Sequence, residues 1–281
     1  MSIAQHLYSA RQALAPIAGP NAALEARLLA AHAWGMSPED LLREANVTRD
    51  AQALHTLLAR RSAAEPVAHI LGYKEFWRDR FAVSRDVLTP RADSETLIET
   101  LLRLYPQQNV PLRILDLGTG SGCLLLSGLR EYPNATGVGA DQSEAALAMA
   151  AQNAAQLMLQ ERASFVRSEW CSNLGESRFH VVLANPPYIP SGEIAGLDAD
   201  VRGFEPHAAL DGGADGLDCY RSIVQQLPPH LLPGAHVLFE VGAGQAHDVA
   251  ALAIPYFSLH SIVPDLAGIA RVVALTFTPD A

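Results

Sequence analysis

No apolar run in this chain approaches the roughly 18 residues that a membrane-spanning helix requires. Its first residues, Met1 to Pro16, contain no basic stretch leading into an apolar core, so no secretory signal is expected. Cysteine is scarce. Cys123, Cys171 and Cys219 stand far apart, with no CxxC pair and no histidine pair nearby, which excludes a disulfide framework and a zinc site. The ten histidines show no ligand spacing, so no metal is expected. A cytoplasmic protein with no membrane partner is the reading these absences support. Lysine is almost missing: Lys74 stands alone beside nineteen arginines, a bias of base composition that carries no functional content.

Positive charge is also short in most of the chain. Residues 1–84 carry 9 basic and 8 acidic side chains, whereas residues 85–281 carry 11 and 22, or -11. Affinity for nucleic acid comes largely from lysine and arginine neutralising phosphates, so the acidic part is not expected to hold DNA or RNA stably. What is present in quantity is apolar: 49% of the 281 residues, against 18% charged, as in a globular protein. That length suits one large domain and one small one.

Residues 1–65 read as helices only. Leu24, Leu28 and Leu29, then Leu54, Leu57 and Leu58, recur at helical spacing. Breaks are expected at Ala15-Pro16, Gly19-Pro20 and Ser37-Pro38, with Asn21, Ser37 and Thr48 as N-caps. Short helices of this kind must pack on one another, so a small bundle is predicted. Residues 66–90 turn aromatic and β-prone through Tyr73, Phe76, Trp77 and Phe81, and are expected to form a β-hairpin or extended linker. From residue 91 to 281, strand and helix patterns alternate, which predicts an α/β domain with helices on both faces of a sheet.

The strongest local signal is Leu112-Arg-Ile-Leu-Asp-Leu-Gly118-Thr119-Gly120-Ser121-Gly122. An apolar strand enters a glycine-rich turn and a helix follows. Glycines suit a backbone that turns tightly under a ligand, and the helix start offers free N–H groups. About twenty residues on, a second strand ends in Asp141, placed to accept the hydroxyls of an adenosine ribose. A dinucleotide fingerprint would require glycine at 123, where Cys123 stands. The GxGxG spacing suits a cofactor without a pyrophosphate, such as S-adenosylmethionine; from the loop alone, NAD stays open as the alternative.

A third strand, His180 to Ala184, runs into Asn185-Pro186-Pro187-Tyr188. A planar amide or ring-amino nitrogen is a poor nucleophile because its lone pair is delocalised. Two fixed acceptors, the Asn185 side-chain oxygen and the Pro186 carbonyl, can take both of its N–H bonds and aim the remaining density at a methyl carbon. The two prolines stiffen the loop and add no competing donor. Tyr188 offers a flat face for a planar group. Asn185, Pro186 and Tyr188 are therefore the candidate catalytic residues, and with Pro187 they form the candidate acceptor site.

Taken together, these residues resemble the HemK/PrmC-type release factor glutamine methyltransferases. The likeness spans nearly the whole chain. It includes Glu65–Gly72, Leu88–Glu95, Asp116–Gly122 and Asn185–Tyr188. It continues through Glu205–Gly213 with Asp215-Gly216-Leu217, Glu240-Val241-Gly242, Gln245, Asp265-Leu266 and Arg271–Val273. NPPY alone is shared with DNA and RNA base methyltransferases; the blocks around Ser94 and Leu210 are more specific. The resemblance implies a Rossmann-like, seven-stranded class I methyltransferase domain, with an N-terminal helical bundle that holds the release factor and a β-rich linker between them.

The implied reaction moves a methyl group from S-adenosylmethionine to the side-chain amide nitrogen (N5) of the glutamine in a Gly-Gly-Gln loop, leaving S-adenosylhomocysteine. By the same resemblance, Gly118, Thr119, Gly120, Ser121, Gly122, Asp141, Asn185 and Trp170, against the adenine, hold the cofactor. Arg91 and Glu95 organise the pocket floor or a domain contact, and Glu205 either positions the loop after NPPY or sits in a plain surface turn. Departures are Ser94 where threonine is usual, Gln142-Ser143 where Ile-Ser is usual, and Ala243-Gly244-Gln245 where Tyr-Asp-Gln is usual. The competing readings are a nucleic-acid base methyltransferase, for which no basic groove is visible, a dinucleotide oxidoreductase, and a catalytically silent binding protein, which would be expected to lose Asn185 or the glycines.

Overall fold

The computed structural model describes residues 1–279. Contacts divide the chain into two units, Met1–Tyr73 with Leu197–Phe204, and Lys74–Gly196 with Glu205 onward.

The first unit contains α1 (Ile3–Ala18), α2 (Ala22–Trp34), α3 (Pro38–Arg43), α4 (Gln52–Ser62) and α5 (Val67–Leu71). Its core gathers Ile3, Leu14, Leu29, Leu41, Leu54 and Ile70. Ser37 caps α3 as expected, in a reciprocal capping box with Asp40. Asn21 makes no side-chain cap, and Thr48 caps nothing: it bridges Ser2, which itself caps α1 in a box with Gln5. Pro16 does not end α1, because only the final turn lies beyond it and one lost N–H is tolerated there. The predicted extended stretch also begins differently. Pro66 precedes α5 and Gly72 follows it with φ +78°, so proline and a left-handed glycine bracket one helical turn. Buried Arg61 binds Glu25 at 2.8 Å and reaches Asp200 at 3.6 Å, which ties the second stretch of this unit to the helices.

The second unit opens with a hairpin, β1 (Tyr73–Phe76) and β2 (Asp79–Ala82), then α6 (Glu95–Leu104). There follow β3 (Arg113–Leu117), α7 (Cys123–Glu131), β4 (Thr136–Asp141), α8 (Glu144–Gln156), β5 (Ala163–Arg167) and β6 (Phe179–Ala184). After α9 (Ala199–Phe204), which belongs to the first unit, come α10 (Asp218–Gln226), β7 (Leu231–Glu240), α11 (Ala246–Ala253), β8 (Phe257–Pro264) and β9 (Ala270–Phe277).

The sheet has seven strands in the order β5-β4-β3-β6-β7-β9-β8, with β9 alone antiparallel to its neighbours. Alternation along each strand separates the core into two layers. Leu115, Val182, Val237 and Leu275 face one way, against Tyr220, Ile223 and Val249 of α10 and α11. Ile114, Val181, Leu238 and Ala274 face the other, against Leu97, Leu101 and Leu125 of α6 and α7. This is the class I methyltransferase architecture that the resemblance implied.

The chain order reverses between β3 and β6. These strands run parallel with Leu117 beside Ala184, so Gly118 and Asn185 leave the same sheet edge side by side. Asn153 of α8, fully buried, braces the region behind this edge. It accepts from the Ala82 N–H at 2.7 Å and donates to Ala82 O at 3.1 Å and to Ser121 O at 2.8 Å. Asn153→Ala is expected to strand the Ala82 N–H and cost about 1–3 kcal/mol. A lower urea midpoint at unchanged slope would be the reading.

Candidate active site

At this edge lies a cavity of about 500 Å³, within the range of about 300–1,000 Å³ typical of small-molecule sites. Gly118, Thr119, Gly120, Ser121, Asp141, Trp170, Asn185 and Pro187 all line it. Gly122, Pro186 and Tyr188 are not among its lining residues.

Sequence dictates the shape of the first wall. Gly118, Gly120 and Gly122 all take positive φ, at 71°, 54° and 81°. Gly122 is also hemmed in, since a Cβ there would sit 3.1 Å from the Ala150 methyl. The Gly118 and Thr119 amides both donate to Ala140 O. Asp141 is pinned by both oxygens, accepting from the Gly120 N–H at 3.0 Å and the Ser143 N–H at 2.9 Å. Each oxygen keeps lone-pair capacity toward the cavity.

Trp170 takes φ +52°, which is rare for a bulky side chain and marks a position held against its own backbone preference. Its ring edge comes within 3.7 Å of where a Gly118 Cβ would be. A flat aromatic, a ribose-type acceptor and an open glycine backbone thus meet in one place. This fits the adenosine half of a methyl donor.

Asp116 lies beneath the loop with no exposure. Oδ2 accepts from Thr119 Oγ1 at 2.7 Å and the Leu125 N–H at 3.3 Å, while buried Oδ1 has no partner. Burial pushes its pKa up to about 7. Cys123 and Cys219 also line the cavity, but burial pushes their thiols up to about 12 and about 11, which excludes a thiolate nucleophile at neutral pH.

The Asn185–Tyr188 loop is held by close backbone packing. Ile189 N donates to Leu210 O and Gly212 N to Ile189 O, so residues 210–213 run beside the loop exit. A Cβ on Gly212 would fall 2.8 Å from Pro187 O, and one on Gly216 (φ +77°) would press into the Tyr188 carbonyl. The Gln245 side chain donates to that carbonyl at 2.9 Å. The Tyr188 ring is packed on the hydrophobic core, and burial pushes its phenol up to about 12, so it stays neutral.

Asn185 Nδ2 donates to Ser94 Oγ at 3.1 Å, and the Glu240 carboxylate faces both side chains. Sequence reading assigned no role to Ser94 or Glu240; no local signal links positions 94, 185 and 240. Glu205, open between two readings, is buried and pairs with Arg91 at 2.7 Å on the cavity wall, so it is no plain surface turn. Glu95 lies outside the lining and accepts from the Trp77 N–H at 2.8 Å, bracing the hairpin.

Comparison with known proteins places the chain among methyltransferases. Residues 92–196 match the family described as methyltransferase small domain, and residues 5–72 the PrmC N-terminal domain. A release factor glutamine methyltransferase of Cereibacter sphaeroides is 42% identical over 98% of both chains. One from Rhodospirillum rubrum is 46% identical, covering 81% of this chain and 70% of its own. The solved catalytic domain of hMettl16 in complex with MAT2A 3'UTR hairpin 6 shares the fold at TM-score 0.56 and 15% identity, covering 72% of this chain and 76% of that one.

The raised Asp116 carboxyl has a consequence for stability. Its folded pKa of about 7 exceeds the ordinary value of about 3.9, so the folded state binds the proton more tightly. Its contribution is therefore present at low pH and lost as pH rises toward and through about 7. Asp116→Asn, which stays neutral throughout, is expected to gain melting temperature relative to the unaltered protein between about pH 5 and pH 8. A difference that is flat with pH would contradict this.

Proposed function

Because the chain belongs to the release factor glutamine methyltransferase family, we propose that it transfers a methyl group from S-adenosylmethionine to the N5 nitrogen of a peptide chain release factor glutamine, the one in the Gly-Gly-Gln loop. The transfer would modulate translation termination. The observation that carries this reading is the meeting, at one sheet edge, of a cofactor-shaped cavity and an Asn-Pro-Pro-Tyr loop whose asparagine lines it.

S-adenosylmethionine, when bound, supplies an electrophilic sulfonium methyl. Gly118–Gly122 would hold its amino-acid and ribose portions through backbone groups, Asp141 the ribose hydroxyls and Trp170 the adenine. On the acceptor side, Asn185 Oδ1 and Pro186 O take the two amide N–H bonds. Pro187 and Tyr188 confine the amide plane, and the nitrogen's remaining density then faces the methyl. The C–N bond forms as the S–C bond breaks, and the nitrogen, acidic once methylated, loses one proton to water. No strong base is needed before attack, so orientation is the main catalytic contribution. The N-terminal helical bundle of residues 1–65 would hold the release factor. No metal has a role in this scheme.

Methyl-labelled cofactor should label a release factor, but neither the same factor with its loop glutamine changed to alanine nor a mixture of DNA and RNA. Label on nucleic acid would move the enzyme to the base-methylating branch. Asn185→Ala is expected to abolish transfer while calorimetry still detects cofactor binding. Asp141→Ala should weaken that binding by about tenfold or more, since a charged hydrogen-bond partner is worth about 1.5–3 kcal/mol; unchanged affinity would remove Asp141 from the site.

A further inference from the structure

We propose that Glu240 is a positioning residue for the methyl transfer: with Ser94 it fixes which end of the Asn185 amide faces the acceptor. The inference rests on the transferase reading above and adds a residue to it.

Strand register puts the two side chains together. β6 and β7 run parallel with Ala184 beside Phe239, so Asn185, just past the end of β6, stands next to Glu240, the last residue of β7. Glu240 is 1% exposed. Its carboxylate faces the Ser94 hydroxyl and the Asn185 amide, and Asn185 Nδ2 donates to Ser94 Oγ. Because Ser94 accepts from Asn185, its own proton is free to turn toward the carboxylate.

The corner behind Asn185 therefore holds acceptors alone. Only the NH₂ end of the amide fits there, because reversal would set Oδ1 against a carboxylate. Oδ1 is left facing the cavity, where a glutamine N–H needs an acceptor.

Fold stability does not account for a charge at this place. One oxygen, Oε2, is buried with no partner. The nearest cation, Arg271, is already shared between Asp265 and Asp93, each at 3.2 Å. A glutamine would fill the same volume without the cost of burying a charge. It would also present an NH₂ to the corner and so permit the reversed amide.

The groups facing Glu240 are Arg271 on β9, Asp93 before α6, Tyr188, Tyr220 on α10 and Cys123 on α7. Burial outweighs Arg271 and pushes the Glu240 carboxyl up to about 7. The orienting charge is therefore lost as pH falls through that range.

The experiment measures kcat, KM for a release factor and cofactor affinity from about pH 6 to 8.5 in the intact enzyme, in Glu240→Gln and in Ser94→Ala. Glu240→Gln is expected to bind cofactor within about twofold of the unaltered enzyme and to lose about ten- to hundredfold in kcat, the scale of a misoriented reacting group. KM should change much less. The rise of kcat through neutral pH should flatten in this variant; any part due to Asp116 remains in both. Ser94→Ala, which leaves the carboxylate in place, should lose less in kcat with cofactor binding intact. An enzyme that labels release factor normally while Glu240→Gln keeps its kcat and acid limb would overturn this proposal and leave the transferase reading standing. Should Glu240→Gln fail to fold, an undiminished kcat in Ser94→Ala would overturn it equally. Failure of the unaltered enzyme to label any release factor would overturn the transferase reading first, and this proposal with it.

Discussion

Leu117 pairs with Ala184 at the centre of the sheet, and the two connections leaving those strands turn to opposite sides. A crevice has to open where they part. Everything chemical in the molecule hangs on that register. One residue further along β3 the glycine loop begins; one residue further along β6 stands Asn185. A slip of one residue would turn every side chain of β6 to the other face and bury the loop asparagine in the core. The apolar layers that hold the register, with Leu115 and Val182 on one face and Ile114 and Val181 on the other, are thereby also what sets the spacing between the two halves of the site.

The same edge concentrates the molecule's costliest burials. Asp116 ends the β3 side and Glu240 the β7 side. Both carboxyls are essentially unexposed, each keeps an oxygen without a partner, and both are pushed up to about 7. Other buried acids are paired, as Glu205 is with Arg91 at 2.7 Å and Glu131 with the Trp77 indole N–H at 2.8 Å. Unsatisfied buried oxygens at the carboxyl ends of two strands of this sheet cost stability, and such costs collect where a site has to be oriented.

Much of the candidate site's local geometry was legible because its signals are short. A glycine-rich turn, an acid one strand later and an Asn-Pro-Pro-Tyr segment each state their geometry within a few residues, and the backbone obeys them. Helix ends were legible only where side chain and position agreed: Ser37 caps α3, but Thr48 was drawn away to bridge Ser2. Val67–Leu71 shows the opposite failure, where a β-prone run became a helical turn because Pro66 and Gly72 set its ends. The contacts among Ser94, Asn185 and Glu240 were not legible at all. They depend on α6, β6 and β7 meeting, and strand order is a property of the whole sheet that no window of residues states.

The tight packing of the Asn185–Tyr188 loop shows why the less familiar blocks matter as much as the loop itself. Prolines limit the loop's own freedom, but they cannot place it. Placement comes from Gly212 and Gly216, whose missing side chains let the Pro187 and Tyr188 backbone settle against them, and from Gln245 holding the Tyr188 carbonyl. A catalyst that works by orientation needs its acceptors fixed to a fraction of an ångström before the substrate arrives. Here one end of the acceptor loop is set by backbone contact and the other by the Ser94–Glu240 corner. Ser94 and Gln245 each hold one end: the Ser94 hydroxyl accepts from Asn185, and the Gln245 amide donates to the Tyr188 carbonyl.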